Sequence, residues 1–551
     1  MLRSIQHDQD RFGRGPKGFS SQKSNRLSRC PNMRLATLRA PFDFFHSKGR
    51  NLITAAFITL AAYACAKLIV EDDRPTLYYA GLAVLGIVAV LAILRNWRTG
   101  VYCFVVWIMF EDLIRKYLGN NMLIYFAKDL LALALYLSFF MARRFTVTKL
   151  YRPRFLIIFS LFFWFCLIQV FNPASTSIFF GLMGLKLYFF YFPLLFVGHA
   201  LVDSEKDLRR FFFFNSVLIL VVAGFGITQS ILGPTFLNPT VIQEDIRELS
   251  TLYRASPITG LLAYRPTSFF VSAGRFQNFV VFSWVLALGF GGFLLMRKQK
   301  GRLVAFATVG MVAAGSVMTA SRGVFVWNSI SAIIIAVACV WGASLSNEQR
   351  IRVLRAIQRA SVFVGIALGG LIFAYPKEVA SRVAIYSETL SPYSPVSELG
   401  YRSRDYPWQN FVAAFQYSRW PYGFGTGTVS LGGQYVTRLM HAAPMNIGVE
   451  NGYGHLLLEL GIVGLALWIL LASAIARSAW RAVTNLKGTV WFPLGFAIFW
   501  YAFLLVIPMS FYGLSAYQDF VINSYFWLTL GILFRISEFP KDARSTYRTL
   551  Q

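Results

Sequence analysis

The chain has 551 residues, 56% of them hydrophobic and only 14% charged, against a soluble average of about 25% charged. This excludes a water-soluble protein, and with 53 Phe, 26 Tyr and 13 Trp it fits a surface that meets lipid and interfaces that carry aromatic belts. The net charge of +28 does not point to nucleic acid, because most of the 53 Lys and Arg sit in short runs between apolar stretches of membrane-spanning length. The five cysteines, Cys30 in the N-terminal tail and Cys65, Cys103, Cys166 and Cys339 in apolar segments, supply neither a disulfide framework nor a zinc spacing.

In chain order, residues 1–50 are hydrophilic and basic, with Gly, Ser and Pro scattered from Gly13 to Ser28, and read as a disordered tail able to touch anionic lipid. A bilayer core needs about 20 apolar helical residues. Fourteen stretches qualify: 51–70, 76–94, 101–118, 122–141, 155–172, 177–201, 211–232, 277–296, 303–320, 323–342, 358–375, 455–475, 490–508 and 516–534. The weakest are 101–118, interrupted by Glu111, Asp112, Arg115 and Lys116, and the pair flanking Ser321-Arg322-Gly323, which also reads as one bent element. The expected fold is therefore an all-α integral membrane bundle of about 12–14 spans.

Loop charge orients the bundle. With the N-terminus in the cytoplasm, 36 of the 53 Lys and Arg fall in cytoplasmic loops and tails, while the Glu71-Asp72-Asp73 turn on the other side is acidic. Both termini, including the tail 536–551, are then cytoplasmic. Two outer loops, 233–276 and 376–454, are too long to be mere links. The second precedes the last three spans (455–535) and holds Trp408, Phe411, Val412 and Phe415 on one helical face, which predicts an amphipathic helix packed on the bundle or on the membrane surface. No internal repeat of the transporter kind is visible.

Ionisable side chains inside a membrane are costly and mark function. Here they are Glu111, Asp112, Arg115 and Lys116 at the outer end of the third span, Lys128 and Asp129 in the fourth, and Lys186 in the sixth. Helix neighbours point about 100° apart, so Lys128 and Asp129 need partners on other helices. Asp129 with Arg115 or Lys116 is the expected pair, either lining a substrate path or as a buried structural ion pair. Arg265, Arg275 and Arg322 all fall at the outer boundary, where cations are depleted. A diphosphate is one reason to keep them, since guanidinium binds phosphate oxygens bidentately; lipid headgroups are the other.

The run Tyr422-Gly423-Phe424-Gly425-Thr426-Gly427-Thr428 matches no nucleotide loop and reads as a turn that lets backbone approach closely. In Gly448-Val449-Glu450-Asn451-Gly452-Tyr453-Gly454-His455, Asn451 is a good N-cap, which places Glu450 just ahead of a helix N-terminus that favours anions. Glu450 is thus a candidate base beside a phosphate-friendly surface, with His455 as the second candidate. The alternative makes Glu450 a solvated loop acid, Glu459 a dipole-compensating residue and His455 interfacial.

These residues resemble the O-antigen ligase and O-antigen polymerase superfamily, integral membrane glycosyltransferases of the bacterial inner membrane with a large periplasmic loop before the last spans. The resemblance covers about residues 100–535. In the ligases a His followed by Asn, Ser, Thr or Ala precedes a Gly by nine intervening residues; here Glu450 occupies the His position, Asn451 matches, and 452–460 lead to Gly461. Other likenesses are Glu111…Arg115-Lys116…Lys128-Asp129, Asn172-Pro173 before Gly181 to Lys186, Arg265 to Phe276, Ser321-Arg322-Gly323 and Tyr422 to Gly425. The resemblance implies a metal-independent, cofactor-free glycosyltransferase with an undecaprenyl-diphosphate-linked oligosaccharide donor and a glycan acceptor, and a chain-length regulator and export machinery as partners. Glu in place of His favours a polymerase of O-antigen, capsule or exopolysaccharide over a ligase acting on lipid A core or protein. In that scheme Glu450 deprotonates the acceptor, Arg265, Arg275 and Arg322 neutralise the diphosphate, and Arg115, Lys128, Asp129, Lys186, Asn451 and Gly461 support or line the site. A flippase or secondary transporter is the rival of another class.

Overall fold

The computed structural model of the chain describes residues 74–118, 122–144, 150–238, 252–297, 301–343, 347–440 and 448–539. Nearly all of them belong to one compact unit, 75–551. The expected tail 1–50, the expected first span 51–70 and residues 540–551 lie outside the described residues.

Helix dominates. The helices that build the bundle are α1 (Arg74–Arg95), α2 (Trp97–Tyr117), α3 (Met122–Arg144), α4 (Leu156–Gln169), α5 (Ile178–Phe189), α6 (Leu194–Leu201), α7 (Glu205–Leu232), α8 (Ala273–Met296), α9 (Arg302–Met318), α10 (Arg322–Val337) and α11 (Asn347–Ala374). The long loop that follows contributes α12 (Pro376–Leu390), α13 (Tyr406–Ala413) and α14 (Gly433–Met440), and the chain closes with α15 (Gly452–Asn485), α16 (Phe492–Leu504), two short turns and α19 (Phe520–Ser537), the turns being α17 (Ser510–Tyr512) and α18 (Ser515–Gln518). Each expected span within the described residues meets a helix, and nine helices there are long and apolar enough to cross a membrane. Gly81–Arg95, Leu156–Gln169 and Arg302–Met318 are apolar but shorter. The chain is thus an all-helical membrane protein.

Local chemistry sets the helix starts. Ser204 and Asp207 form a reciprocal capping box on α7, and Ser272 and Asp519 accept from first-turn N–H groups of α8 and α19. α4 shows what solvent the bundle expects: it buries Phe159, Phe162 and Cys166 but turns Ile157, Leu161, Trp164 and Ile168 outward. A helix apolar on both faces needs lipid on the outer one. At the centre α19 is buried almost throughout and crosses α6 where two glycines meet. A Cβ on Gly198 would lie 2.1 Å from the Leu528 carbonyl oxygen, and one on Gly531 would lie 2.1 Å from that of Leu195.

α9 and α10 are separate helices, not one bent element. The chain turns between them at Ala320, whose φ is +51°. The expected helix around Trp408 exists as α13, with most of its apolar stripe turned away from the bundle. Pro407 and Ala414 are buried and Phe411 half-buried, whereas Trp408, Val412 and Phe415 are exposed. Polar contacts decide the rotation: Asn451 Nδ2 donates to the Pro407 carbonyl at 3.0 Å, and Asn410 Oδ1 accepts from the Glu450 N–H at 3.0 Å.

Candidate functional site

An arginine cluster forms where an antiparallel hairpin, β1 (Tyr253–Ala255) and β2 (Leu262–Tyr264), packs beside the start of α10. Its register pairs Arg254 with Ala263. Arg382 of α12 is fully buried and donates to the carbonyls of Tyr264 (3.1 Å), Met318 (3.3 Å) and Ser230 (3.4 Å), so one guanidinium ties the hairpin to the C-terminal ends of α9 and α7. Glu388 accepts from the N–H groups of Ile258 (2.6 Å) and Thr259 (3.3 Å) and holds the hairpin turn. So fixed, Arg254 donates to the Ala320 carbonyl at 3.0 Å and stands near Arg265 and Arg322. Burial first, then the charges of Arg265 and Arg322, push Arg254 down to about 10. Burial alone lowers Arg265. Arg254 is thus held in place against the charge of its two neighbours.

A string of side chains leads from this cluster to Glu450. Arg322 Nη1 lies 2.8 Å from Glu398 Oε2, and Arg402 Nε lies 3.0 Å from the same oxygen. Burial raises the Glu398 carboxyl, but hydrogen bonds and charge from Arg322 and Arg402 outweigh it and hold the group below the usual carboxylate range. The Arg402 guanidinium sits 4.6 Å above the Tyr406 ring, and the Tyr406 hydroxyl donates to Glu450 Oε2. Glu450 is exposed and stands directly ahead of Asn451, which caps α15 by accepting from the Gly454 N–H at 2.9 Å. Of the two candidate bases, His455 is the more constrained: its Nε2 is bonded to the Val449 carbonyl, which leaves Nδ1 as its acceptor.

Arg275 parts from the other two arginines. Its Nη1 lies 2.6 Å from Asp112 Oδ2 and its Nε 3.1 Å from Asp519 Oδ2. It lines a cavity of about 410 Å³ between the ends of α2, α3, α5, α8 and α19 and residues 431–435. Of the intramembrane charges, Arg115 and Lys186 line this cavity, together with Asp519. Asp129 pairs with Lys186 at 2.5 Å and accepts from the Tyr191 hydroxyl at 3.0 Å, not with Arg115 or Lys116 as expected. Arg115 is taken by Asp112 (3.1 Å) on its own helix, and the Lys116 ammonium donates to Thr267 Oγ1 and the Ser268 carbonyl, both at 2.8 Å. Lys128 does find a partner on another helix, Glu111 Oε1 at 3.1 Å.

The glycine run docks on a break in α15. Gly461 has φ +70°, and a Cβ there would lie 2.4 Å from the Pro421 carbonyl oxygen. Phe424 N–H and Gly425 N–H donate to the Leu458 and Glu459 carbonyls at 2.7 and 2.9 Å. The fully buried Glu459 carboxylate accepts from Tyr188 OH (2.8 Å), Gly427 N–H (3.2 Å) and Val429 N–H (3.1 Å). Gly461 and Glu459 therefore clamp the glycine run onto α15; Glu459 is not a first-turn dipole residue.

Sequence reasoning missed Arg254, Glu398, Arg402 and Tyr406, which lie in outer loops without a periodic signal. Asp519 had a signal, being an acid inside an expected span, 516–534. Among the described residues no group of His, Cys, Asp or Glu is placed to hold a metal ion. Fold and site together define an all-helical membrane protein with a cationic cluster and an exposed acid at one end. Comparison with protein-family models, curated proteins and solved structures returns no match.

Proposed function

We propose that the chain is an inner-membrane glycosyltransferase that polymerises undecaprenyl-diphosphate-linked oligosaccharide repeat units at the periplasmic face. The observation that carries this reading is the continuous string from Arg254, Arg265 and Arg322 through Glu398, Arg402 and Tyr406 to Glu450. An anion site and a proton acceptor then share one surface. The resemblance of 100–535 to the O-antigen ligase and polymerase superfamily supplies the reaction.

In this scheme the Glu450 carboxylate takes the proton of an acceptor sugar hydroxyl, the freed oxygen attacks the anomeric carbon of the donor, and the bond to the carrier diphosphate breaks. Tyr406 OH, donating to Glu450, fixes which oxygen faces the acceptor. Diphosphate is a good leaving group, so charge stabilisation matters more than protonating it. Arg254 takes the place expected for Arg275, which Asp112 and Asp519 already hold. Glu398 bridges Arg322 and Arg402 as the donor's phosphate would.

Purified protein in detergent with lipid-linked repeat units tests the reading. Longer glycan with released undecaprenyl diphosphate is the expected result. Transfer only to a second acceptor, lipid A core or protein, makes it a ligase, and no transfer at all returns the chain to transport.

A further inference from the structure

At the end of the bundle away from Glu450, the starts of α2, α7 and α9 enclose a cavity of about 1010 Å³ that the scheme above does not use. The Ser230 carbonyl of α7 meets Arg382 beside the arginine cluster, whereas Lys206, on the cavity wall, lies about 36 Å away along the axis of the same helix. That distance exceeds a hydrocarbon core of about 30 Å, so the cavity sits at the opposite membrane boundary.

Its lining changes character along α7. Lys206, Arg209 and Arg210 come first, then Phe213 and Phe214, then Val217, a progression of about 16 Å. Arg98 of α2 joins the wall, held by Asp203 and by the Ala200 carbonyl at 3.4 Å. The Arg210 guanidinium lies 5.7 Å from the Tyr102 ring, and Tyr102 meets Phe214 edge-on at 5.0 Å, which gives the cations an aromatic floor. The one acid in the lining, Asp207, is bonded to Ser204 in the cap of α7. Asp203 and Glu205 pair with Arg98 and Arg297, so among the described residues these groups keep a surplus of two positive charges.

Membrane orientation asks only that cations lie in loops on one side. It does not ask them to converge on a cavity whose other half is apolar and whose Phe213 and Val217 are exposed on a bilayer-length helix. Neither tail of the chain has the charge to fill it, since 1–50 carries 11 Lys and Arg against three Asp, and 540–551 carries three against one. A soluble phosphate would leave the apolar half unused. A phospholipid meets both halves in the order in which they stand, headgroup first and chain second.

We propose that this cavity holds an anionic phospholipid of the bilayer, with its phosphate among Arg98, Lys206, Arg209 and Arg210 and the first part of an acyl chain along Phe213 and Val217. The inference goes beyond the glycosyl-transfer reading and does not depend on it.

The test is titration of the purified full chain in detergent, read by native mass spectrometry, with phosphatidylglycerol, zwitterionic phosphatidylcholine and glycerophosphoglycerol, which is the first headgroup without its acyl chains. Phosphatidylglycerol should bind at least about tenfold tighter than phosphatidylcholine, because it brings the net charge that the cations select. It should also bind at least about tenfold tighter than glycerophosphoglycerol, which cannot bury the apolar wall. Lys206→Gln and Arg210→Gln, both at exposed positions, should each weaken phosphatidylglycerol binding about fivefold. Arg481→Gln removes an exposed charge near the end of α15 far from Glu450 and outside the cavity, and should change nothing. Equal affinity for the two lipids overturns the proposal, as does full binding by both cavity variants. Equal losses from Arg210→Gln and Arg481→Gln overturn it in favour of diffuse surface charge. Glycerophosphoglycerol bound as tightly as phosphatidylglycerol overturns it too and assigns the cavity to a soluble phosphate. Binding is read without turnover, so these outcomes stand apart from whether the chain extends a glycan.

Discussion

Arg322 and Glu450 come from distant parts of the chain, yet three side chains link them, and each end makes a distinct prediction. Arg322→Lys keeps the charge but loses the planar fork with which a guanidinium holds a phosphate bidentately, and with it the present Nη1 contact to Glu398. Turnover should fall about 10–100-fold, the cost of one charged hydrogen bond, with expression unchanged; full activity returns Arg322 to the lipid headgroups. Glu450→Gln cannot accept a proton and should cost about 10²–10⁴-fold in turnover with little change in donor binding. Glu450→His restores the residue of the ligase motif and should recover part of that loss. If Glu450→Gln grows chains normally and His455→Ala does not, the base is His455. Glu398 gives a pH test. Its carboxyl is held below the ordinary range, so its contribution to stability is present above an ordinary Glu pKa of about 4.3 and is lost as pH falls through the lowered value. In thermal melts, the deficit of Glu398→Gln at neutral pH should be below about 1 kcal/mol, because the side chain is one-third exposed, and it should shrink below about pH 4.

Elements were legible where period and polarity carry the information. Apolar runs of spanning length located the helices, and Asn451 located the start of α15, because an N-cap is a local event. Which of its two alternatives α13 takes was not legible: the stripe marks Trp408, Val412 and Phe415, and backbone contacts from Asn451 and Glu450 turn those residues away from the bundle. The pairing of Asp129 was hidden for a similar reason, since Lys186 and Arg115 compete for it and only the placement of α5 decides. Gly461 was found through a motif, and its physical role is the break that admits the glycine run. Gly461→Ala forces a Cβ into the Pro421 carbonyl and an L-residue into a positive-φ, extended-ψ region that is essentially reserved for glycine, which alone costs about 1–3 kcal/mol. The variant should melt several degrees lower in detergent and lose activity through displacement of the loop; an unchanged melting curve would show that the loop can withdraw without harm.

For the whole molecule, the charge asymmetry of the sequence and the position of the cluster make a joint claim. The proposed orientation puts 36 of 53 Lys and Arg on the cytoplasmic side and the Arg254–Glu450 string on the other. Reporters fused after residues 50 and 298 should then read cytoplasmic, and reporters within 240–250 and 395–405 periplasmic. The opposite reading for 395–405 would separate Glu450 from a donor presented at the periplasmic face. The most direct measurement of the central claim is a single turnover with purified protein and labelled lipid-linked repeat units, comparing the wild type with Glu450→Gln. The account predicts release of one undecaprenyl diphosphate for each repeat unit added by the wild type and at least about a hundredfold slower release by the variant. Equal rates, or diphosphate release without glycan growth, would contradict it.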